Sequence, residues 1–352
     1  MKSYKILFGW FVVAVVLAFG ARIVYSQEKA VAAGTVQVHM VITDEAVREG
    51  TDVPILRPEN VQVKQGKTLL KVEHLIPARG DNAALQLFIL IDDTCDTAGI
   101  GNSLNDIRDF INAQPATTVV GVGYMSNATI QIVQNFTADH ALAAKAVRLP
   151  RGSLSAMDSP YLSLISLIKG WPVQKVRREV LMITDGIDRL RGERSSNYQY
   201  SPSYGRAYRT PPPGPTGMAT MSLDADKASD ASQRAGVIVH GIYATGVGRA
   251  GRNSWEAQMG QSGVGKIADE TGGEYFALGV QNPLSFKPYL DRLQKIFENQ
   301  YYLVFQATPK KKSGLQRVKI STEIPDVEIA AADSVWVPAP GDKSDDKDDK
   351  KE

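Results

Sequence analysis

Two stretches decide the fold: LFILIDDTCD at residues 87–96 and VLMITDG at residues 180–186. Each is a continuous apolar run that ends in carboxylates and hydroxyls. Runs without polar alternation are typical of strands buried on both faces of a parallel sheet. Since ligands bind outside the carboxyl ends of such strands, we expect the polar side chains of the two stretches to meet at one edge.

The composition of the whole chain is that of a globular protein. Among 352 residues, 43% are hydrophobic and 22% are charged, which excludes collagen, coiled coil and wholesale disorder. Lys and Arg number 40 against 38 Asp and Glu, a balance that argues against a nucleic-acid partner. With Cys95 alone and four scattered histidines, neither a disulfide framework nor a zinc cluster is expected.

The N-terminus has the layout of a secretory signal peptide. Lys2 and Lys5 precede an apolar run over residues 6–21, and small or aliphatic residues follow up to Ser26. We predict a signal peptide at 1–26 and an exported protein that is periplasmic, in the cell envelope or secreted. An uncleaved anchor is the alternative, although 16 apolar residues fall short of the roughly 20 that span a bilayer. No other stretch predicts a membrane span.

Four regions are predicted after the signal peptide. Alternating apolar residues predict a β module at 27–84, and strand–helix alternation predicts an α/β domain at 85–300. A β segment at 301–338 is expected to complete the sheet of the β module, and a charged tail at 339–352 is expected to be disordered. The insertion at 189–222, rich in Pro, Tyr and Arg, is either a recognition surface or a disordered loop.

The order of motifs resembles a von Willebrand factor A (VWFA) domain with its metal-ion-dependent adhesion site (MIDAS). Asp-x-Thr-x-Asp at 92–96 is followed by Ser159-Pro160 and by Ile-Thr-Asp-Gly at 183–186. The segments at 267–276, 300–303 and 335–338 also resemble exported bacterial, acidobacterial-type VWFA-related proteins. The resemblance implies an α/β fold with a doubly wound, mainly parallel sheet and helices on both faces, flanked by the small β module.

The resemblance also implies a set of metal ligands. Carboxylates and hydroxyls suit a hard cation, with Mg²⁺ favoured and Ca²⁺ or Mn²⁺ as alternatives. Ser153 and Ser155 are alternatives to Ser159, and a register shifted to Asp93, Cys95 and Thr97 is disfavoured because a thiol is a poor ligand for such a cation. Matched to the family pattern, the predicted ligands are Asp92, Thr94, Asp96, Ser159 and Asp185.

One predicted ligand departs from the family pattern. Asp96 stands where a second serine is usual, so three carboxylates would face one divalent cation. We therefore expect a weaker pull on an acidic partner than at the usual site. Asp188 is interpreted as a solvated turn residue.

These observations predict an exported, metal-dependent protein-interaction or adhesion module. The alternative is a metal-free structural or scaffolding protein of the same fold in the cell envelope. An enzyme is not expected, because no nucleophile–base arrangement is recognisable and the carboxylates are assigned to the metal. The Gly-x-Gly-x-x-Gly at 246–251 does not predict a nucleotide site, since no helix is expected to open there.

Overall fold

The structure, a computed structural model, describes residues 35–46, 54–171, 176–190, 223–247, 254–277, 279 and 281–340. The predicted signal peptide, the charged tail beyond residue 340 and most of the insertion at 189–222 lie outside the described residues.

The central sheet contains both apolar runs, at residues 87–91 and 180–183. Its strands are β5 (Leu85–Asp92), β6 (Thr118–Ser126), β7 (Thr129–Thr137), β8 (Arg177–Thr184), β9 (Val237–Tyr243) and β10 (Tyr275–Phe276). The spatial order is β10-β9-β8-β5-β6-β7, and all neighbours are parallel except β6 and β7. Numbered one to six along the chain, the order is 3-2-1-4-5-6, the doubly wound arrangement.

Successive residues of β5 face opposite sides of this sheet. Leu87, Ile89 and Ile91 belong to one apolar cluster, whereas Phe88 and Leu90 belong to another. This is the period of two that a strand imposes on its side chains. Both faces are buried, which explains why the run lacks polar alternation.

Helices cover both faces of the sheet. Those with described bounds are α1 (Thr97–Gly101), α2 (Leu104–Asn112), α3 (His140–Ala146), α4 (Pro160–Lys169), α5 (Leu223–Ala235), α6 (Ser254–Thr271) and α7 (Lys287–Glu298). Helices α2, α3 and α7 supply the cluster with Ile89, and α4, α5 and α6 supply the cluster with Phe88. The predicted fold class is therefore confirmed.

The segments that precede and follow the α/β domain form one small β unit. Its strands are β1 (Val36–Ala46), β2 (Val61–Gln65), β3 (Thr68–Leu70), β4 (Val72–Pro77), β11 (Gln300–Ala307), β12 (Gly314–Arg317), β13 (Lys319–Thr322), β14 (Val327–Ala331) and β15 (Ser334–Val337). Strand β1 lies between β11 and β14, and β13 pairs with β2. The expected pairing between the N- and C-terminal β segments is thus confirmed, and their apolar side chains share one core.

A buried arginine joins the α/β domain to this β unit. The Arg177 guanidinium donates to the carbonyl oxygens of Ala83 and Phe297, at 2.7 and 2.8 Å, and to Oε1 of Gln300 at 2.7 Å. These three acceptors lie at the two points where the chain enters and leaves the α/β domain. Arg177 therefore holds both connections at the start of β8.

Within the described residues, no helix combines the length and apolar character that crossing a membrane requires.

Candidate functional site

Two carboxylates meet where the neighbouring strands β5 and β8 end. Asp92 is the last residue of β5, and Asp185 follows Thr184, the last residue of β8. Both side chains are almost completely buried, at 3% and 1% exposure. The edge of the sheet therefore carries a covered polar layer, and each buried charge there needs a partner.

Asp92 takes its partners from hydroxyl and backbone groups. Oδ1 accepts from the amide of Thr94 at 2.9 Å and from its hydroxyl at 2.7 Å, and Oδ2 accepts from the Thr184 hydroxyl at 2.7 Å. Burial, and next the Asp185 carboxylate, raise the pKa of Asp92 from 3.8 to about 6, although Arg189 opposes the shift. Two carboxylates this close are costly together unless a cation stands beside them.

The cation beside the Asp92 and Asp185 carboxylates is the guanidinium of Arg189. Its Nη2 lies 2.5 Å from Oδ2 of Asp185, and Nη1 donates to the carbonyl oxygen of Ile187 at 3.2 Å. The other oxygen of Asp185, Oδ1, accepts the Ile187 amide at 3.0 Å. The Arg189 side chain is only 8% exposed. Burial alone would lower the pKa of Arg189, but the carboxylates of Asp185 and Asp92 outweigh it and raise the pKa.

The other two predicted ligands cap helices. The Ser159 hydroxyl accepts the Leu162 amide at 3.4 Å at the start of α4, and Asp96 accepts the Ala98 amide at 3.3 Å at the start of α1. Hydroxyl and carboxylate oxygens are the usual caps at these positions. The structure thus brings Asp92, Thr94 and Asp185 together, whereas Asp96 and Ser159 direct their oxygens to backbone amides.

Asp93 and Cys95, which belong to the disfavoured alternative set of ligands, have other partners. Asp93 forms a two-pronged ion pair with Arg148, at 2.7 and 3.0 Å, and accepts the Arg151 amide. Cys95 is fully buried, with Sγ near the carbonyl oxygens of Ile183 and Ala244. The interpretation of Asp188 as a solvated residue is wrong, because it is 1% exposed.

As arranged, these side chains do not fit a divalent cation. Every carboxylate oxygen of Asp92 and Asp185 already has a donor from the protein, and the neighbouring positive charge is a guanidinium. Among the described residues, no group of three or more Asp, Glu, His or Cys side chains is placed to hold a metal ion. The metal ligands named from the sequence stay a prediction.

The loop at 147–158 borders this edge and is fixed at both ends. The carbonyl oxygen of Asp93 accepts the Gly152 amide at 2.9 Å, in addition to the Arg148 ion pair. At the other end, the Asp158 carboxylate accepts the amides of Asn127 and Ser155, at 2.8 and 2.6 Å. Two buried carboxylates thus give the loop a defined position.

Sequence reasoning missed the role of Arg189, which was grouped with the arginines of the insertion. The signal that could have found it is its spacing, four residues after Asp185. Thr184 was also missed as a partner of Asp92. Its hydroxyl, which accepts the Gly186 amide at 3.0 Å, links the ends of the two strands.

Comparison with known proteins gives likenesses of fold only. No family model matches the sequence, and no curated protein matches it. Similar solved structures include an aerotolerance-related membrane protein from Bacteroides fragilis, with 11% identity over 61% of this chain and 98% of that one, at a TM-score of 0.39. The SpRpn10 VWA domain has 10% identity over 61% and 97%, at a TM-score of 0.34. A von Willebrand factor type A structure from Catenulispora acidiphila has 9% identity over 88% and 74%, at 0.37.

At such low identities and TM-scores, the assignment of a VWA-type fold rests on this chain's own sheet. The doubly wound order, the single antiparallel edge strand β7 and the polar residues after β5 and β8 agree with the fold that the sequence motifs imply.

Proposed function

We propose that this chain, whose α/β domain has the von Willebrand factor A fold, is an exported module that binds a protein partner and has no catalytic role. Binding is assigned to the carboxyl-end edge of the sheet. The observation that carries this assignment is a group of exposed apolar side chains on the loop at 147–158: Leu149, Leu154 and Met157, which are 45%, 49% and 55% exposed. Apolar side chains grouped on one exposed loop are typical of interaction sites.

The way this loop is held supports a binding role. Arg148 pairs with Asp93 and lies over the Tyr124 ring, 3.7 Å from its centroid, so the start of the loop is fixed. A surface that is ordered before it meets a partner loses less conformational entropy on binding. The buried polar layer beneath the loop therefore serves to hold an apolar surface in place.

The metal-dependent form of this function is the finer prediction from the sequence. It would require Asp92, Thr94, Asp96, Ser159 and Asp185 to give up their present hydrogen-bond partners and converge on a cation. The pairing of Asp185 with Arg189 supports the metal-free alternative, and we adopt that alternative.

Export is supported by the pattern at residues 1–26. Cell fractionation followed by N-terminal sequencing tests it: the processed protein is expected outside the cytoplasm and to begin at Gln27. A protein that keeps Met1 in the membrane fraction would show the anchor instead.

The partner assignment is tested with a triple variant, Leu149→Ser, Leu154→Ser and Met157→Ser. Crosslinking of the full chain in envelope fractions of its source organism, followed by mass spectrometry, is expected to recover a partner with the wild type. The triple variant is expected to recover it at least about tenfold less, since it loses the free energy of burying three apolar side chains.

The matched control replaces three apolar residues of similar exposure away from this edge: Leu69, Ile132 and Leu142, at 61%, 50% and 47%. Their replacement by serine is expected to leave recovery unchanged. Equal recovery by both triple variants, with unfolding midpoints equal to the wild type, would refute binding at this edge.

A further inference from the structure

A permanently charged side chain lies beside Asp92 and Asp185, two of the predicted metal ligands. Arg189 bonds directly to Asp185 at 2.5 Å and is close enough to Asp92 to oppose the rise in its pKa. A guanidinium does not deprotonate in proteins, so it supplies one positive charge at every pH at which the protein is folded. It therefore neutralises this edge without an ion from solution.

The backbone of Arg189 is fixed as firmly as its side chain. The amides of Arg189 and Leu190 donate to the carbonyl oxygen of Asp158, at 2.8 and 2.9 Å. Asp158 is itself anchored through its carboxylate to Asn127 and Ser155. The position of the guanidinium thus follows from the same framework that holds the loop at 147–158.

The space around the ion pair is closed by backbone. A Cβ atom at Gly246 would lie 2.2 Å from Oδ2 of Asp185 and 2.9 Å from Nη2 of Arg189. Gly246 is held there by a bridge to Cys95, and the next amide, of Val247, donates to the Thr94 carbonyl at 2.9 Å. The segment after β9 therefore covers the pair so closely that a Cβ atom at Gly246 would displace it.

We propose that Arg189 is the resident cation of this site, taking the place of the divalent ion that a MIDAS would hold. The fold and its carboxyl-end edge then need no metal for stability. A partner that docks here meets a covered ion pair instead of an open coordination position, so it has no need to offer a carboxylate ligand. The role of Arg189 in stability does not depend on the proposed partner binding. The statement about the partner rests on that proposed function.

Thermal unfolding of the full chain tests this assignment, first with EDTA and then with Mg²⁺, Ca²⁺ or Mn²⁺ added in excess. The wild type is expected to show the same unfolding midpoint in all four conditions. Arg189→Gln is expected to lower the midpoint in EDTA by at least about 6 °C, because two buried carboxylates lose their cation. The same variant is expected to regain part of that loss on addition of a divalent cation, a response that the wild type lacks.

Two further variants separate charge from packing. Arg189→Lys keeps the positive charge and is expected to remain insensitive to metal. The double variant Asp185→Asn with Arg189→Gln replaces the carboxylate by an isosteric amide and the guanidinium by a shorter neutral amide, and it is expected to be more stable than Arg189→Gln alone and insensitive to metal. If Arg189→Gln does not fold, a double variant that does fold shows that the uncompensated Asp185 carboxylate caused the loss.

Three results would overturn the assignment. The first is a metal-dependent rise in the wild-type midpoint that Asp185→Asn abolishes. The second is an Arg189→Gln variant that is as stable as the wild type or shows no response to metal. The third is a double variant no more stable than Arg189→Gln. Because stability is measured here without a partner, failure of the proposed interaction would leave these outcomes unaffected.

Discussion

Replacing Gly246 by alanine places a methyl group against the Asp185–Arg189 ion pair. The new Cβ would lie 2.2 Å from Oδ2 of Asp185, whereas carbon needs roughly 3.5 Å of separation. The carboxylate would have to retreat by about 1.3 Å, which breaks its 2.5 Å contact with Arg189. Overpacking costs about 1–3 kcal/mol, and removing one partner of a buried ion pair, the upper limit for separating the two, costs about 3–5 kcal/mol. Because moving the carboxylate relieves part of the overpacking, the two costs do not add in full. We therefore expect the free energy of unfolding to fall by about 4 kcal/mol.

Urea unfolding followed by circular dichroism measures this loss, and thermal unfolding should show a midpoint lower by about 8 °C. The matched control is Gly314→Ala at the start of β12, where an added Cβ meets nothing within 4 Å. Its free energy of unfolding is expected to stay within about 0.5 kcal/mol of the wild type. If the free energy of unfolding of Gly246→Ala changes no more than that of this control, the close packing of Gly246 against the ion pair is refuted.

Three further predictions concern buried titratable groups. Burial raises the pKa of Asp44 from 3.8 to about 7. Between these two values the folded state keeps a proton that the unfolded chain has lost. The free energy of unfolding should therefore fall as the pH rises from about 4 to about 7. Asp44→Asn should flatten that slope in urea midpoints measured at about pH 5 and about pH 8, and an unchanged slope would contradict it. Burial raises the pKa of the Cys95 thiol, so a thiol reagent should label it only at the rate of unfolding; rapid labelling of the native protein would show the site to be open. His240→Phe leaves the Glu179 side chain, fully buried and 2.8 Å from His240, without its hydrogen-bond partner and should cost about 1–3 kcal/mol in urea unfolding. Adding Glu179→Leu should recover part of this loss, and no recovery would count against an unsatisfied polar group.

The central strands were predictable because strands buried on both faces need unbroken apolar runs, and such runs are visible in the sequence. Leu87 to Ile91 are apolar without a break, and a strand that helices cover on both faces requires such a run. Helix α5 gave no comparable signal, because polar residues supply much of its buried face. Asp224, Ser229 and Ser232 are all fully buried there, and Ser232 donates to the Ala228 carbonyl one turn earlier. Ser229 also donates to the Glu270 carboxylate of α6, so polar contacts supply part of this helix's buried face and hydrophobic periodicity does not reveal it.

The sequence located the polar layer at the carboxyl-end edge but did not reveal its charge balance. Asp92 and Asp185 could be predicted to lie together, because both follow apolar strands that are neighbours in the sheet. The partner of Asp185 depends on the turn of chain after β8, where the Asp158 carbonyl orients the backbone of Arg189. That carbonyl comes from a loop about 30 residues earlier, so only the tertiary structure shows which charge reaches the carboxylate.

The pairing of β1 with β11 sets an order for folding. Val36 lies opposite Ala307, about 270 residues later in the chain, and closing so long a loop from an unfolded chain costs about 5 kcal/mol of entropy. Arg177 reduces that cost, because it holds the backbone at Ala83 and Phe297 together once the α/β domain has formed. About 47 residues before Ala83 and about 10 after Phe297 then separate these fixed points from the pairing of Val36 with Ala307. The α/β domain is thus expected to fold first, and strands β1 and β11 to pair in a later kinetic phase.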